Sequence, residues 1–310
     1  MRVLITGATG FAGRHLAEAL RPLKHTVFGT SFPQPPRPAD PGLAFLDLRS
    51  ERDVYDTVRT VQPQWVIQLA AVSNVGQSWE RRKETMETNV MGTFYLLEAV
   101  KKYAAGARFL FVSSAEVYGG AAAGGRPLTE DGPVAAVSPY ALTKLQGELL
   151  GGFCGRADGL DIVIARPFAH TGPGQSPDFV CSDWARQIVR VERRAQEPVL
   201  RTGDLDIRRD FSDVRDVVRA YLLLLQKGER GEAYNICRGE AVPLGRVLEV
   251  LLAQSRRAIV VERDPEKARP AEIPSLVGDN GKLRRATGWA PAIPLEQTLR
   301  DLLDYWRARP

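Results

Sequence analysis

The stretch SPYALTK, residues 138–144, sets a phenol and an ammonium four positions apart. On a helix, positions i and i+4 share a face, so Tyr140 and Lys144 would lie side by side. One reading is a surface pair on an amphipathic helix; the other is chemistry. A free tyrosine has a pKa of about 10 and is a poor base at neutral pH. A lysine ammonium about 4 Å away, at an effective dielectric near 20, would favour the phenolate by ~4 kcal/mol, or about 3 pK units. Such a group exchanges protons effectively with a carbinol or carbonyl oxygen. A second candidate is Ser114 in FVSSAEVYG, with Ser113 before it and the carboxylate of Glu116 two residues after.

These side chains need elements to bring them together. Short apolar runs at 2–7, 25–30, 43–48, 65–71, 108–114 and 161–167 read as strands. Helical patterns lie between them at 11–21, 50–61 and 79–104, and on the segment carrying Tyr140, at about 138–153. Strand–helix alternation with continuous apolar strands predicts a parallel sheet covered on both faces. Right-handed crossovers then give a doubly wound α/β fold, which collects ligands at the carboxyl edge of its sheet. Ser114 would stand on that edge. The proline-rich SFPQPPRPADPG, 31–42, reads as a loop. After Pro167 the pattern turns irregular, apart from a helix at 213–227, and the last 75 residues mix short strands and helices. The expected division is a dinucleotide-binding part, 1–165 plus about 205–235, and a smaller mixed α/β substrate part, about 166–204 and 236–310.

Gly7, Gly10 and Gly13 in GATGFAG fall between the first strand and the first helix. Glycines there permit a tight turn and close approach of a phosphate to the backbone, and the helix amino terminus adds free N–H groups and a positive dipole end. That placement predicts a bound dinucleotide. An acid ending the second strand would bind a ribose 2′-hydroxyl and repel a 2′-phosphate. The stretch GTSFPQPPR has none before Asp40 and carries Arg37. NADP(H) is therefore favoured, with NAD(H) as the alternative; Thr30 and Ser31 are placed to hydrogen-bond either ribose.

Among the 310 residues, 44% are hydrophobic and 25% charged, the make-up of an ordinary globule. The net charge of +5 comes from 42 basic and 37 acidic side chains, with no long basic block. That suits an anionic small molecule rather than nucleic acid. Cys154, Cys181 and Cys237 are far apart and form no CxxC, so neither a disulfide framework nor a metal site is expected. No apolar run approaches the ~20 residues of a membrane span. MRVLITG is too short an apolar run for a signal peptide. The expectation is a cytoplasmic protein with no membrane partner.

The GxxGxxG spacing together with Tyr140 and Lys144 resembles the extended short-chain dehydrogenase/reductase family. RPFAHTGPGQSPDFVCSDWARQIV, RRDFSDVRDVVRAY, RPAEIPSLVGDNGKLRRATGWAP and IPLEQTLRDLLDYWR extend the resemblance over the whole chain, to the branch that modifies sugar nucleotides. The resemblance implies a Rossmann-type fold and hydride transfer. Tyr140 would exchange the oxygen proton, Lys144 would tune it and hold the nicotinamide ribose, and Ser114 would orient the reacting oxygen. It implies further cofactor contacts at Phe11 in the glycine turn, Asp47 and Leu48 at the adenine, and Leu69, Ala70 and Ala71 along the cofactor. Asn89, Phe179, Val180, Asp183, Arg209, Arg269 and Glu272 would hold the substrate, the two arginines by forked bonds to its diphosphate. One departure is Ala169, in RPFAH, where the family usually has asparagine. His170 beside it reads as a packed loop histidine.

The implied reaction is NAD(P)H-dependent reduction of the 4-keto group of GDP-4-keto-6-deoxy-D-mannose to a GDP-6-deoxyhexose, GDP-D-rhamnose. The alternatives are a 4,6-dehydratase, for which Glu116 stands where the C5 base is needed, a 4-epimerase, and a non-catalytic nucleotide sensor on the same fold. The resemblance also implies a homodimer, joined by the helices at about 79–104 and 138–153.

Overall fold

The computed structural model describes residues 1–33, 42–124, 126–264 and 273–309. The chain begins with β1 (Arg2–Thr6), α1 (Phe11–Leu20), β2 (Thr26–Ser31), β3 (Leu43–Phe45), α2 (Glu51–Val61) and β4 (Trp65–Gln68). Then come α3 (Val75–Glu80), α4 (Arg82–Met86), a π-helical turn (Glu87–Met91), α5 (Gly92–Tyr103), β5 (Arg108–Val112), α6 (Pro139–Ala157) and β6 (Asp161–Pro167). After β6 the order is β7 (His170–Thr171), α7 (Val180–Glu192), β8 (Val199–Thr202), β9 (Arg208–Asp210), β10 (Ser212–Asp213), α8 (Val214–Lys227) and β11 (Ala233–Ile236). The chain closes with β12 (Ala241–Pro243), α9 (Leu244–Leu252), β13 (Val260–Arg263), β14 (Ser275–Leu276), α10 (Gly281–Thr287) and α11 (Leu295–Arg307).

Seven strands form one sheet in the order β3-β2-β1-β4-β5-β6-β11, with every neighbouring pair parallel. This is the expected doubly wound α/β fold. Alternate side chains feed two cores, as the period of a strand requires. Val3, Ile5, Ile67, Leu110 and Val163 pack under α1 and α8. Leu4, Val66, Phe109, Phe111 and Ile162 pack under α2, α5 and α6. A third core, with Trp184, Ile188, Val247, Leu251, Leu299 and Leu303, holds α7, α9 and α11 together. Beside it, β9 is paired between β12 and β14 and carries Arg209.

Two elements differ from the sequence expectation. A seventh strand, β11, pairs with β6; its short AYNI run is interrupted by Asn235, a polar side chain that is nevertheless fully buried. Asn235 is tolerated there because Tyr118 donates to its Oδ1 and its Nδ2 donates to Leu128 O. The helix expected at 79–104 starts earlier and is broken into α3, α4, the π-helical turn and α5. Such a turn often marks a functional site, and this one carries Asn89.

Candidate active site

The glycine turn is shaped by contacts that admit no side chain. Gly7 has φ +73°, and a Cβ there would lie 2.9 Å from Ala70 N. A Cβ on Gly13 would lie 2.3 Å from Gly7 O and 2.8 Å from Ala8 Cα, so α1 can approach the turn only with glycine at that position. The loop is tied to its neighbours. Gly7 N donates to Thr30 Oγ1, Ala8 N to Thr30 O, and Ala70 N to Thr6 Oγ1. Gly10 caps α1 without a side-chain bond, which leaves first-turn N–H groups and the positive dipole end for an anion. This backbone cradle, with Phe11 at its helical end, fits a dinucleotide pyrophosphate.

The other expected cofactor residues line the same carboxyl edge. Leu69 and Ala70 follow β4 with their backbone tied to Thr6, and Ala71 comes next. Thr30 and Ser31 are buried; the Thr30 hydroxyl braces the glycine loop rather than standing open for a ribose. The Leu48 side chain enters the sheet core, so only its backbone is left to face a ligand. Asp47 accepts a forked pair of bonds from Arg49, at 2.9 and 2.7 Å, which holds its carboxyl below the usual range. The Arg49 guanidinium also lies 5.2 Å from the centroid of the Phe32 ring. Arg37 and Asp40 lie outside the described residues.

Tyr140, Lys144 and Ser114 converge at the end of β5, all three buried. The positions of Tyr140 and Lys144 follow from the start of α6. Ser138 caps the helix by accepting from Ala141 N, Pro139 opens it, and Ser78 Oγ on α3 accepts from Tyr140 N. The Ser114 hydroxyl lies near enough to the Tyr140 phenol to lower its pKa. Lys144 Nζ donates to Val112 O at 2.7 Å and lies 5.8 Å from the centroid of the Tyr140 ring.

The electrostatics overturn the simple expectation for this pair. Burial pushes the Tyr140 phenol up to about 12, and Glu116 adds to the rise while Ser114 opposes it. Burial also pulls the Lys144 ammonium down to about 8, against the pull of Glu148. Desolvation outweighs attraction because the ammonium is aimed at a carbonyl and not at the phenol oxygen. Tyr140 therefore rests as a protonated acid.

The substrate-side residues divide. Asn89 was expected at the substrate, but it is 2% exposed and bonded at both ends of its amide. Its Oδ1 accepts from Val72 N, and its Nδ2 donates to Val72 O and Thr143 Oγ1. It fastens the π-helical turn to α6, with both of its amide hydrogens engaged. Phe179 caps and Val180 opens α7, next to Asp178, whose carbonyl accepts from Asn74, the cap of α3. Asp183 accepts from Arg186 and Gln187. Arg209 is half-buried, with Nη1 donating to Arg208 O and Ile273 O. Arg269 and Glu272 lie outside the described residues. Ala169, in place of the family's asparagine, packs against the third core.

The family profile described as GDP-mannose 4,6 dehydratase matches residues 4–302. The chain belongs to this family. It is 36% identical to the GDP-6-deoxy-D-mannose reductase of Pseudomonas aeruginosa over 99% of this chain and 98% of that one. The solved structure of RMD from Pseudomonas aeruginosa complexed with NADPH superposes with a TM-score of 0.88 at 34% identity, covering 100% of both chains. The UDP-glucose 4-epimerase of Thermus thermophilus in complex with NAD gives 0.89 at 29% identity, covering 99% of both. The extended short-chain dehydrogenase/reductase assignment thus holds along the full chain.

His170 is packed, as expected of it, while two further features, the Phe32–Arg49 pair and Glu148, escaped the sequence reading. His170 stacks on Phe11 with ring centroids 5.9 Å apart and planes 7° from parallel, so it joins the glycine turn to the loop after β6. Burial lowers its pKa and its Nδ1 lies 2.9 Å from Phe168 O, which favours a neutral ring with the proton on Nδ1. The Phe32–Arg49 pair was missed because its members lie 17 positions apart in sequence, Phe32 at the start of the proline-rich loop and Arg49 beyond its end. Glu148 was missed although its spacing from Lys144 repeats that of Lys144 from Tyr140.

Proposed function

We propose that the protein reduces the 4-keto group of GDP-4-keto-6-deoxy-D-mannose to GDP-D-rhamnose, with NADPH favoured and NADH as the alternative. The observation that carries this reading is Ser114, Tyr140 and Lys144 gathered beside a glycine cradle, in a chain similar along its whole length to a GDP-6-deoxy-D-mannose reductase. The cradle of Gly7, Gly10, Phe11 and Gly13 would hold the pyrophosphate. Asp47 and the backbone of Leu48 would meet the adenosine, and Leu69–Ala71 the body of the cofactor. A reduced nicotinamide supplies the hydride for the carbonyl carbon. Ser114 orients the carbonyl oxygen and Tyr140 delivers its proton as the alkoxide forms. Lys144 supports the charge that Tyr140 then carries. Phe179, Val180 and Asp183 would cover the nucleoside, and Arg209 with Arg269 would bind the diphosphate, beside Glu272. Within this reading the dinucleotide part is 1–165 plus about 205–235, and the substrate part is 166–204 and 236–310.

A second reading, a 4,6-dehydratase, rests on Glu116 as the carboxylate at the position where the C5 base is needed, near enough to the site to act on Tyr140. The two reactions differ in electron balance. A reductase consumes one NADPH per turn. A dehydratase returns the hydride to its own product and needs no reductant. Purified protein is incubated with GDP-mannose and oxidised cofactor, and separately with GDP-4-keto-6-deoxymannose and NADPH. The reductase reading expects stoichiometric NADPH oxidation and a new GDP-deoxyhexose in the second tube only. Catalytic keto-sugar formation in the first tube would replace it with the lyase, and C4 inversion of a sugar nucleotide without net reduction would replace it with the epimerase.

A homodimer is part of the proposal. Leu142, Leu149 and Phe153 form an exposed apolar stripe on α6, on the face opposite Tyr140 and Lys144, and Met91 at the end of the π-helical turn and Phe94 on α5 are exposed as well. A second copy packed helix to helix would cover both. A cytoplasmic location is supported by three buried, unpaired thiols and by the absence, among the described residues, of a helix long and apolar enough to cross a membrane.

A further inference from the structure

Along α6 the buried face does not end at the catalytic pair. Tyr140, Lys144 and Glu148 follow at i, i+4 and i+8, each less than a tenth exposed. The Glu148 carboxylate is fully engaged. Arg166 on β6 forks onto it, Nε to Oε1 at 2.9 Å and Nη2 to Oε2 at 2.7 Å. Ser113, the residue before Ser114, donates to Oε1 at 2.5 Å. Arg166 in turn donates to Tyr118 OH and Glu130 O, and Tyr118 donates to Asn235 on β11. One network therefore grips α6, the end of β5 and the end of β6 behind the reacting groups. A buried ion pair is weak evidence for stability, because replacing such pairs by apolar residues is often neutral or favourable. Its placement one turn beyond Lys144 asks for another role.

We propose that Glu148 is a positioning residue of the reaction: clamped by Arg166 and Ser113, its carboxylate keeps Lys144 an ammonium and holds the strand end that carries Ser114. This rests on the proposed reduction only where turnover is concerned; the charge of Lys144 is measurable without it. Facing Lys144 are Tyr140 and Glu148 from α6, and the Val112 carbonyl and Phe111 ring from β5. Behind these stand Glu116 and Tyr221, both acting on or with Tyr140, and Arg166 with Tyr118 and Glu130. Among them Glu148 supplies the attraction that raises the Lys144 pKa against burial. A unit charge about 6 Å away at an effective dielectric near 20 corresponds to at most about two pH units.

The test uses two variants of opposite sign. Glu148→Gln removes the attracting charge and leaves the Arg166 cation, so the Lys144 midpoint should fall by about one pH unit. Arg166→Gln removes the opposing cation and leaves the carboxylate, so the midpoint should rise, by roughly half a unit. Trace labelling of the cofactor-free protein with acetic anhydride across pH, read at Lys144 by peptide mass spectrometry, gives the midpoint directly. The alkaline limb of kcat/KM for ketone reduction should move with it in both variants. If both midpoints stay at the wild-type value while activity falls only in step with thermal stability, Glu148 is a structural residue and the proposal fails. Should Glu148→Gln not fold, Arg166→Gln and the double variant decide. The double variant should still label at lower pH than wild type, because Glu148 is the nearer charge; an unchanged or raised midpoint overturns the idea. A moved midpoint with no reduction of the keto sugar would retain the role of Glu148 and discard the substrate.

Discussion

Replacing Gly13 by alanine should cost cofactor affinity before it costs the fold. The added Cβ would stand 2.3 Å from Gly7 O, 2.8 Å from Ala8 Cα and 2.9 Å from Ala8 C. All three are backbone atoms that no rotamer change can move. Carbon contacts settle near 3.5 Å, so α1 and the turn must part by roughly 1 Å. Overpacking of this kind costs about 1–3 kcal/mol, while alanine returns at most about 1 kcal/mol of helix propensity. Stability should therefore drop modestly. The dinucleotide meets the displaced backbone directly, and about 1–3 kcal/mol there is roughly a 5- to 150-fold rise in Kd. Gly10→Ala should be milder, because its Cβ meets only Gly7 O, at 3.2 Å. Gly106→Ala should be silent, with nothing within 4 Å of its Cβ. Titration of NADPH fluorescence with thermal unfolding alongside gives all three. Equal affinity in Gly13→Ala and Gly106→Ala would refute the cradle.

Tyr140→Phe should abolish nearly all turnover with little change in unfolding temperature or NADPH binding, since it deletes only the exchangeable proton; near-normal turnover rules out the acid role. NADPH should serve at least as well as NADH in matched steady-state assays, because no acid closes the second strand, and a strong NADH preference would show that stretch misread. Asp213→Asn should lower the unfolding temperature by about 3–5 °C at pH 7, from about 2–3 kcal/mol lost where the buried carboxylate accepts from Arg215 and Thr298. The folded Asp213 pKa lies below its ordinary value, so this stabilisation is present above the unfolded pKa near 4 and fades as pH falls through the folded value. The gap between wild type and variant should thus shrink in acid, and a gap that widens there contradicts the assignment. Light scattering at micromolar concentration should give a dimer that Phe153→Glu weakens, and a wild-type monomer would count against the helix-to-helix interface.

How legible the fold was follows from where side chains carry the signal. Six of the seven sheet strands announced themselves as apolar runs, because parallel strands are buried on both faces. Four of those runs, 2–7, 43–48, 65–71 and 108–114, overshoot the observed strands, which end at Thr6, Phe45, Gln68 and Val112. The overshoot has a physical cause. Past the last ladder bond the chain stays wholly or partly buried while it turns over the sheet edge, and those turns carry Asp47, Leu69–Ala71 and Ser114. β11 gave no comparable signal because buried Asn235 breaks its pattern. Asn89 shows the opposite failure. The family resemblance implied a ligand contact for this residue, but its partners are the Val72 backbone and Thr143, which no spacing rule connects to it. The same holds for Glu148, whose ion partner Arg166 lies on a different element.

The protonation of Tyr140 bears on the direction of the chemistry. Oxidising a carbinol requires the phenolate as base, so a pKa pushed up to about 12 leaves few molecules ready at neutral pH. Reducing a ketone requires the protonated phenol, and nearly every molecule has it. Glu116 strengthens that bias, because a carboxylate beside the phenol penalises the second negative charge. A dehydratase or an epimerase begins by oxidation and would need the positive charge of an oxidised nicotinamide to offset this field. A reductase begins with proton delivery and works with it. Glu116→Gln separates the two roles of that carboxylate. If Glu116 only raises the phenol, the variant should keep most reductase activity and shift the Tyr140 limb to lower pH. If Glu116 is the C5 base of a lyase, keto-sugar formation from GDP-mannose should vanish while the limb stays in place. A wild type that forms the keto sugar, and a variant that does not, would make oxidation the native first step and set aside the directional argument.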